Sequence, residues 1–299
     1  MKEIQELITI RDYMRWATSR FNEVGLFYGH GTDNAWDEAI ALILHTLHLP
    51  HDINPSILEA RLTSSEREKL YNIIKRRAEE RIPLAYLTHE AWFAQLPFYV
   101  DERVLVPRSP LAELIENQLQ PWIDADSVNS ILDLCTGSGC IAIACASYFP
   151  QAHVDATDIS QDALAVARIN VSKHEMEDHV TLFQGDLFEG ITGKKYDVII
   201  SNPPYVDAED MAGLPKEYRH EPELGLAAGE LGLDVVTRIL QQAQKHLNPN
   251  GILIVEVGNS EHALCDAFPD LPFTWLEFQR GGGGVFLLTA EQLGVTGIY

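Results

Sequence analysis

The stretch SILDLCTGSGC, residues 130–140, decides the fold class of this chain. Its first five residues are strand-like, and the apolar segment CIAIACASYF (140–149) that follows reads as a helix. The loop between them carries glycines at 137 and 139, which allow a tight turn and let the main chain approach a ligand closely. A strand, a glycine loop and a helix in this order are typical of a nucleotide-binding βα unit.

Strands and helices alternate from residue 130 onward, which implies a parallel sheet covered on both faces. The seven strand candidates are SILDL, AHVDATD, VTLFQGD, YDVIISN, GILIVEV, FTWLEFQ and GVFLLT. The last two are joined only by Arg280 and the four glycines 281–284, too short a connection for a crossover helix, so they should form an antiparallel hairpin. We therefore predict an α/β fold, Rossmann-like, with a seven-stranded, mostly parallel sheet and a terminal antiparallel hairpin.

The first 88 residues predict a separate, small all-α domain that would recognise the substrate. WDEAIALILHTLHL (36–49) has the apolar spacing of an amphipathic helix, with Asp33 and Asn34 as candidate caps. Thr63-x-x-Glu66 is a capping-box pattern that opens a second helix. Residues 89–107 predict a β-hairpin or linker, and residues 108–299 a catalytic domain.

Charge limits the classes of partner. Lys and Arg number 22 against 44 Asp and Glu, a formal net charge of −22. This charge disfavours free nucleic acid, whose binding depends on neutralising phosphates, and favours a basic protein. The first twenty residues lack the apolar stretch of a signal peptide, and no run approaches the ~18 apolar residues of a membrane span. The four cysteines form no C-x-x-C pair. We therefore expect a cytoplasmic protein with reduced thiols.

Candidate cofactor residues follow the first three strands of the sheet. Gly137-x-Gly139-x-x-Ala142 fits a dinucleotide fingerprint, and Asp158 lies about the ~20 residues further on that a ribose-binding acid requires. Asp158 could instead cap the helix that begins near Ser160. Asp133 would repel a pyrophosphate but attract a sulfonium or an amino group, which favours S-adenosylmethionine over NAD.

The motif Asn202-Pro203-Pro204-Tyr205 follows the fourth strand, at the same edge of the sheet as the glycine loop. An amide oxygen on Asn202 and a carbonyl held rigid by proline could accept both hydrogens of a planar NH₂ group. Tyr205 offers a face against which a flat amide or base could stack. Methyl transfer to such a nitrogen needs no metal, and we expect none. The motif by itself leaves adenine and glutamine open as substrates.

Taken together, D-x-C-T-G-S-G, an acid after the second strand, G-D and N-P-P-Y resemble class I S-adenosylmethionine-dependent methyltransferases that act on planar nitrogens. With the helical N-terminal region, VPRSP (106–110) and SNPPYVDAEDM (201–211), the resemblance extends over essentially the whole chain to bacterial protein N5-glutamine methyltransferases, the HemK/Prm family. It implies S-adenosylhomocysteine as product, and catalysis by Asn202, Pro203 and Tyr205. The implied cofactor residues are Asp133, Thr136, Gly137, Ser138, Gly139, Asp158, Asp186, Leu187 and Asn202. The implied glutamine-binding residues are Asn202, Pro203, Pro204 and Tyr205.

Two branches of this family differ in substrate. The release-factor branch typically carries an I-P-R-P-D-T-E linker, from which Val106–Glu113 departs at the Asp-Thr pair. The resemblance is therefore to the branch that acts on a large-subunit ribosomal protein, uL3, before its assembly. The alternatives are methylation of the GGQ glutamine of peptide-chain release factors, an adenine-N6 nucleic-acid methyltransferase, and an NAD enzyme or non-catalytic binder that uses the glycine loop alone.

Overall fold

The computed structural model describes residues 6–295 and divides them into two compact units. The helical unit comprises the residues up to Ala91 together with Pro215–His220. The sheet unit comprises Trp92–Leu214 and the residues from Glu221 onward. Within the described range, no helix has both the length and the apolar composition that crossing a bilayer requires.

From residue 6 onward, the helical unit contains four α-helices of five or more residues that pack around one apolar core. They are α1 (Ile10–Glu23), α2 (Ala35–Thr46), α3 (Ser64–Lys75) and α4 (Leu84–Thr88), with a 3₁₀ turn at Pro55–Glu59 and a π-helical turn at Arg76–Glu80 that continues α3. The predicted capping box of Thr63 and Glu66 is confirmed at the start of α3. Asn34 caps α2, which ends at Thr46, three residues before the predicted end, because the chain turns at His48 with φ +56°.

A buried ionic cluster fastens the segment Pro215–His220 into this unit. The guanidinium of Arg77 is almost completely buried; its Nε donates to Glu38, and its Nη1 lies 3.7 Å from Glu217 Oε1. Glu217 also accepts hydrogen bonds from Arg81 Nη1 at 3.1 Å and from Phe27 N at 3.0 Å. Buried charges are tolerated only when they are paired and hydrogen-bonded, so these contacts hold the segment in place.

The sheet unit contains a two-stranded sheet, a seven-stranded sheet and seven α-helices in the part of the chain described. Its strands are β1 (Ala91–Phe93), β2 (Leu96–Phe98), β3 (Ser130–Leu134), β4 (His153–Asp158), β5 (Val180–Gln184), β6 (Tyr196–Ser201), β7 (Leu247–Glu256), β8 (Thr274–Trp275) and β9 (Val285–Thr289). Its helices are α5 (Leu111–Glu116), α6 (Cys140–Tyr148), α7 (Gln161–Lys173), α8 (Ala208–Gly213), α9 (Asp234–Ala243), α10 (Glu261–Ala267) and α11 (Ala290–Val295).

The large sheet has the strand order β5-β4-β3-β6-β7-β9-β8. The first five strands in this order are parallel, whereas β9 runs antiparallel to both β7 and β8. The predicted mostly parallel sheet with a terminal antiparallel hairpin is confirmed. The FTWLEFQ candidate contributes only Thr274 and Trp275 as strand, since β8 lies at the edge of the sheet and pairs with β9 alone.

Successive residues of the strands pack into two different cores, one on each face of the sheet. In β7, Ile252 and Ile254 contribute to one core, and Leu253 and Val255 to the other. The first core includes α6, and the second includes the buried face of α9. This alternation follows from the two-residue period of a strand, and it explains why the strands are nearly continuous apolar runs.

Candidate active site

The glycine loop joins β3 to α6 at the carboxyl edge of the sheet. Thr136 N donates to Thr157 O of β4 at 3.0 Å, which holds the loop against the neighbouring strand. Gly137 has φ +55°, and a Cβ at this position would meet no atom within 4 Å. Gly139 has φ +79°, and its Cβ would lie 3.3 Å from Ala167 Cβ. Gly137 therefore leaves open space in which a ligand can approach the main chain, whereas Gly139 permits close packing against α7.

Asp133 lies beneath this loop and is completely buried. Its Oδ2 accepts hydrogen bonds from Thr136 Oγ1 at 2.5 Å and from Ala142 N at 3.1 Å. Its Oδ1 is buried and has no hydrogen-bond partner among residues 6–295. Burial raises the pKa of Asp133 to about 7 against its two hydrogen-bond donors. Asp133 therefore holds the loop and the first turn of α6 from below.

Asp158 ends β4 and supports the same loop from the side. Its Oδ2 accepts a hydrogen bond from Gly137 N, and its Oδ1 accepts one from Ser160 N, each at 2.8 Å. The alternative role as helix cap is wrong, because Ser160 is the N-cap of α7 and its Oγ accepts from Ala163 N. Burial raises the pKa of Asp158, and the two backbone N–H groups oppose that rise. A carboxylate can accept about four hydrogen bonds, so acceptor capacity remains for ribose hydroxyls.

The predicted pair Asp186 and Leu187 follows β5, next to β4 in the sheet. Asp186 Oδ2 accepts a hydrogen bond from Arg238 Nη2 at 2.7 Å, in a partly exposed ion pair. Leu187 is buried in the core that includes α9, and it has φ +54°. The carboxyl ends of parallel strands meet at one edge of the sheet, so both residues share that edge with Asp158 and the glycine loop.

The NPPY motif begins directly after β6, the strand on the other side of β3. Ser201 Oγ donates to Leu134 O at 2.8 Å and so ties the start of the motif to the end of β3. Asn202 is half-buried, and its side-chain amide forms no hydrogen bond within the described residues 6–295. Pro203 is buried, whereas Pro204 is partly exposed. Asn202 is thus an uncommitted amide at the same edge as the glycine loop.

Tyr205, the last residue of the motif, is held by contacts from three directions. Its Oη donates to Glu256 Oε1 at 2.9 Å, and its carbonyl oxygen accepts from Ser260 Oγ at 3.1 Å. A Cβ at Gly258 would lie 2.6 Å from the Tyr205 ring, so this glycine lets the ring pack against the main chain. Ser109 Oγ donates to the other oxygen of Glu256. These contacts fix the position of the ring.

Glu256, the last residue of β7, is buried. Burial raises the pKa of Glu256, and the hydroxyls of Ser109 and Tyr205 oppose that rise by donating to the carboxylate. Through these two hydrogen bonds, Glu256 joins Ser109 of the VPRSP segment to Tyr205 of the NPPY motif.

Two further residues of this site were missed from the sequence. The side chain of Asn170 is fully buried in α7; its Nδ2 donates to Ser138 O and Tyr99 O at 2.9 Å, and its Oδ1 accepts from Tyr99 N at 2.7 Å. The carboxylate of Glu221 accepts hydrogen bonds from Arg108 Nη1 at 2.5 Å and from Arg108 Nη2 at 2.8 Å. Asn170 could have been recognised in the sequence as a polar residue on the apolar face of a predicted amphipathic helix. No local sequence pattern marks Glu221.

Comparisons with known proteins identify methyltransferases among the relatives of this chain. A family model described as the methyltransferase small domain matches residues 114–214. The ribosomal protein uL3 glutamine methyltransferase of Neisseria gonorrhoeae is 57% identical over 290 residues, which cover 97% of each chain. The protein of the same name from Francisella tularensis is 50% identical over 291 residues, covering 97% of this chain and 93% of its own.

Among solved structures, the hMettl16 catalytic domain in complex with a MAT2A 3′UTR hairpin matches with a TM-score of 0.50. It covers 80% of this chain and 86% of its own, at 17% identity. At that identity the likeness shows a shared fold, the class I methyltransferase fold, and nothing about the substrate.

Proposed function

Because the chain belongs to the family of ribosomal protein uL3 glutamine methyltransferases, we propose that it methylates the side-chain amide nitrogen of a glutamine in uL3. The relatives that carry this name match almost the full length of the chain, which favours uL3 over release factors and over adenine. The observation that carries the proposal in the structure is the uncommitted amide of Asn202 at the same sheet edge as the glycine loop.

The residues around the glycine loop fit S-adenosylmethionine. The open space beside Gly137 admits a ligand to the main chain, and the remaining acceptor capacity of Asp158 suits ribose hydroxyls. Asp186 and Leu187 would line the continuation of the same edge. When bound, S-adenosylmethionine supplies a methyl group on a positively charged sulfur. Asp133 and Asn170 act indirectly, because they hold the loop in place from the protein side.

The NPPY residues would orient the glutamine amide for attack. Asn202 Oδ1 and the Pro203 carbonyl oxygen accept the two amide hydrogens, which fixes the plane of the NH₂ group and points its lone pair at the methyl carbon. The new N–C bond would form as the bond between the methyl carbon and sulfur breaks, with the electron pair of that bond left on sulfur, and the methylated nitrogen would then release one proton to solvent. Tyr205, fixed by Glu256, would stack against the amide plane. Alignment of this kind supplies up to ~7–11 kcal/mol in favourable cases.

The charge of the chain supports a basic protein as substrate. A net charge of −22 attracts a basic ribosomal protein and repels free nucleic acid. Methylation before assembly would take place in the cytoplasm, where ribosomal proteins are made. We propose that the helical unit, roughly residues 1–88 with the linker 89–107, contributes to recognition of this protein, while residues 108–299 carry the chemistry.

The experiment that tests the function compares two substrates. Purified enzyme is incubated with labelled S-adenosylmethionine and either unassembled uL3 or a release factor, and the labelled residue is located by mass spectrometry. We expect label on a glutamine of uL3. Efficient labelling of the release factor without labelling of uL3 would assign the chain to the other substrate.

Replacing Asn202 by alanine tests the role of the amide. We expect Asn202→Ala to lower kcat on the order of 10²-fold or more, as for the loss of one positioned hydrogen-bonding group, with affinity for S-adenosylmethionine within about tenfold. Asn117→Ala, at an exposed asparagine that follows α5, is the matched control and should turn over like the wild type. Unchanged turnover of Asn202→Ala would remove this residue from the chemistry.

A further inference from the structure

A cavity of roughly 520 Å³ lies beside the proposed glutamine site. Tyr205 and Glu256 line it, together with Arg108 and the turn Gly282–Gly284. None of the residues assigned to the cofactor lines this cavity. Pockets that bind ligands commonly enclose ~300–1,000 Å³, so the cavity is of a size to hold part of a substrate. Because it shares Tyr205 with the NPPY motif, its occupant would be continuous with the glutamine rather than with the cofactor.

The glycines that line this cavity are not all required by the fold. Gly284 has φ +66°, and a Cβ there would lie 2.1 Å from Gly258 O. Gly282 has φ +90°, and its Cβ would lie 3.0 Å from Pro110 Cβ. Gly283, by contrast, needs no positive φ, and a Cβ there would meet no atom within 4 Å. The fold would accept a side chain at Gly283, yet at this position the main chain is left bare beside the cavity.

A bare main chain offers its N–H and C=O groups to another main chain without side-chain obstruction. We propose that this cavity binds the polypeptide of the substrate next to the target glutamine, with its main chain running along Gly283. The inference rests on the proposed function, since a glutamine held at Asn202–Tyr205 must enter on a continuous chain.

Charge in the cavity suits a basic segment. Glu256 and Glu261 line it, and the guanidinium of Arg108 is paired with the carboxylate of Glu221. Both carboxylate oxygens of Glu256 accept hydrogen bonds from Tyr205 and Ser109, so Glu261, next to the lining residue His262, is the carboxylate of this cavity that would attract a basic segment.

A side chain placed at Gly283 tests the inference, because Gly283 lines the cavity and a Cβ there would meet no atom of the protein within 4 Å. We expect Gly283→Leu to raise KM for unassembled uL3 at least about tenfold, equivalent to ~1.4 kcal/mol of binding, with Kd for S-adenosylmethionine within about twofold. Gly213→Leu is the matched control: Gly213 likewise needs no positive φ, a Cβ there meets no atom within 4 Å, and it does not line the cavity. Gly283→Ala should give an intermediate KM.

The outcomes separate this inference from the proposed function. Wild-type enzyme that fails to methylate uL3 would overturn the function and the inference together. If the wild type is active and Gly283→Leu has an unchanged KM, the inference alone is wrong. A weakened Kd for S-adenosylmethionine in Gly283→Leu, with KM for uL3 unchanged, would assign the cavity to the cofactor and would also overturn it. If Gly283→Leu does not fold, Gly283→Ala decides by the same comparison.

Discussion

Replacing Asp133 by asparagine should change how the stability of the sheet unit depends on pH. The carboxyl group is completely buried, and burial raises its pKa from the ordinary 3.8 to about 7. A carboxyl group whose pKa is higher in the folded state stabilises the fold fully below its unfolded pKa, and this contribution is lost as the pH rises through the folded pKa. Asparagine does not ionise, so the stability of the variant lacks this pH-dependent contribution.

The expected size of the effect follows from the two pKa values. Each unit of difference corresponds to ~1.4 kcal/mol, so the wild type should lose about 4 kcal/mol relative to the variant over the whole range from below the unfolded pKa to above the folded one. Roughly 2–3 kcal/mol of this loss should fall between pH 5 and 8. The asparagine oxygen can still accept from Thr136 Oγ1 and Ala142 N. Its NH₂ group takes the place of Oδ1, which has no hydrogen-bond partner in the described chain. Because the buried NH₂ group is then also unpaired, the variant should lose about 1–3 kcal/mol of stability at every pH.

Equilibrium unfolding in urea at pH 5, 6, 7 and 8 measures this difference, with wild type and variant in the same buffers. The raised pKa of Glu256 is present in both proteins and cancels in the comparison. The charge of Asp158 contributes to the raised pKa of Asp133, so this repulsion is part of the difference that is measured. Cys145→Ala, at a buried position of α6, is a suitable control, because burial raises the pKa of this thiol well above 9 and it stays neutral throughout. A difference for Asp133→Asn that stays constant within about 0.5 kcal/mol across this range would refute the reasoning.

Two further substitutions test contacts of the two units. Tyr205→Phe removes the hydrogen bond to Glu256, which is worth about 1.5–3 kcal/mol. We expect kcat to fall on the order of 10- to 100-fold, with little change in affinity for S-adenosylmethionine. A kcat equal to that of the wild type would show that the hydroxyl does not position the ring. Arg77→Met leaves the buried carboxylate of Glu38 without its arginine, while Glu217 keeps Arg81. We expect this variant to lower the free energy of unfolding of the helical unit by about 3–5 kcal/mol in denaturant titrations. Arg11→Met, which breaks an exposed pair, should cost at most about 1 kcal/mol, and similar losses in both variants would contradict the argument.

Elements that depend on neighbouring residues were predictable from the sequence. The capping box at Thr63 and the apolar runs that became β3 and β6 depend on residues a few positions apart, which the sequence displays directly. Predicted ends were less accurate where a turn or an edge position intervened. α2 ends at Thr46 rather than residue 49, and β8 retains two of seven predicted residues.

Some parts of the candidate site were predictable from the sequence and others were not. The motifs after the strands were visible in the sequence, and the parallel order of the strands places their carboxyl ends at one edge of the sheet. The partners of those motifs were not visible, because they lie far away along the chain. Ser109 and Glu256, which share a hydrogen bond, are 147 residues apart, and Arg108 and Glu221 are 113 apart.

The sequence by itself determined the α/β class, the glycine loop and the NPPY motif, because each is encoded by local periodicity or by contiguous residues. Only the tertiary structure showed that Asp133 is buried beneath the loop and that Glu256 joins Ser109 to Tyr205. It also assigned Pro215–His220 to the helical unit through the buried charges of Arg77 and Glu217. Burial and pairing depend on which distant segments the sheet and helices bring together, and no short stretch of sequence records that.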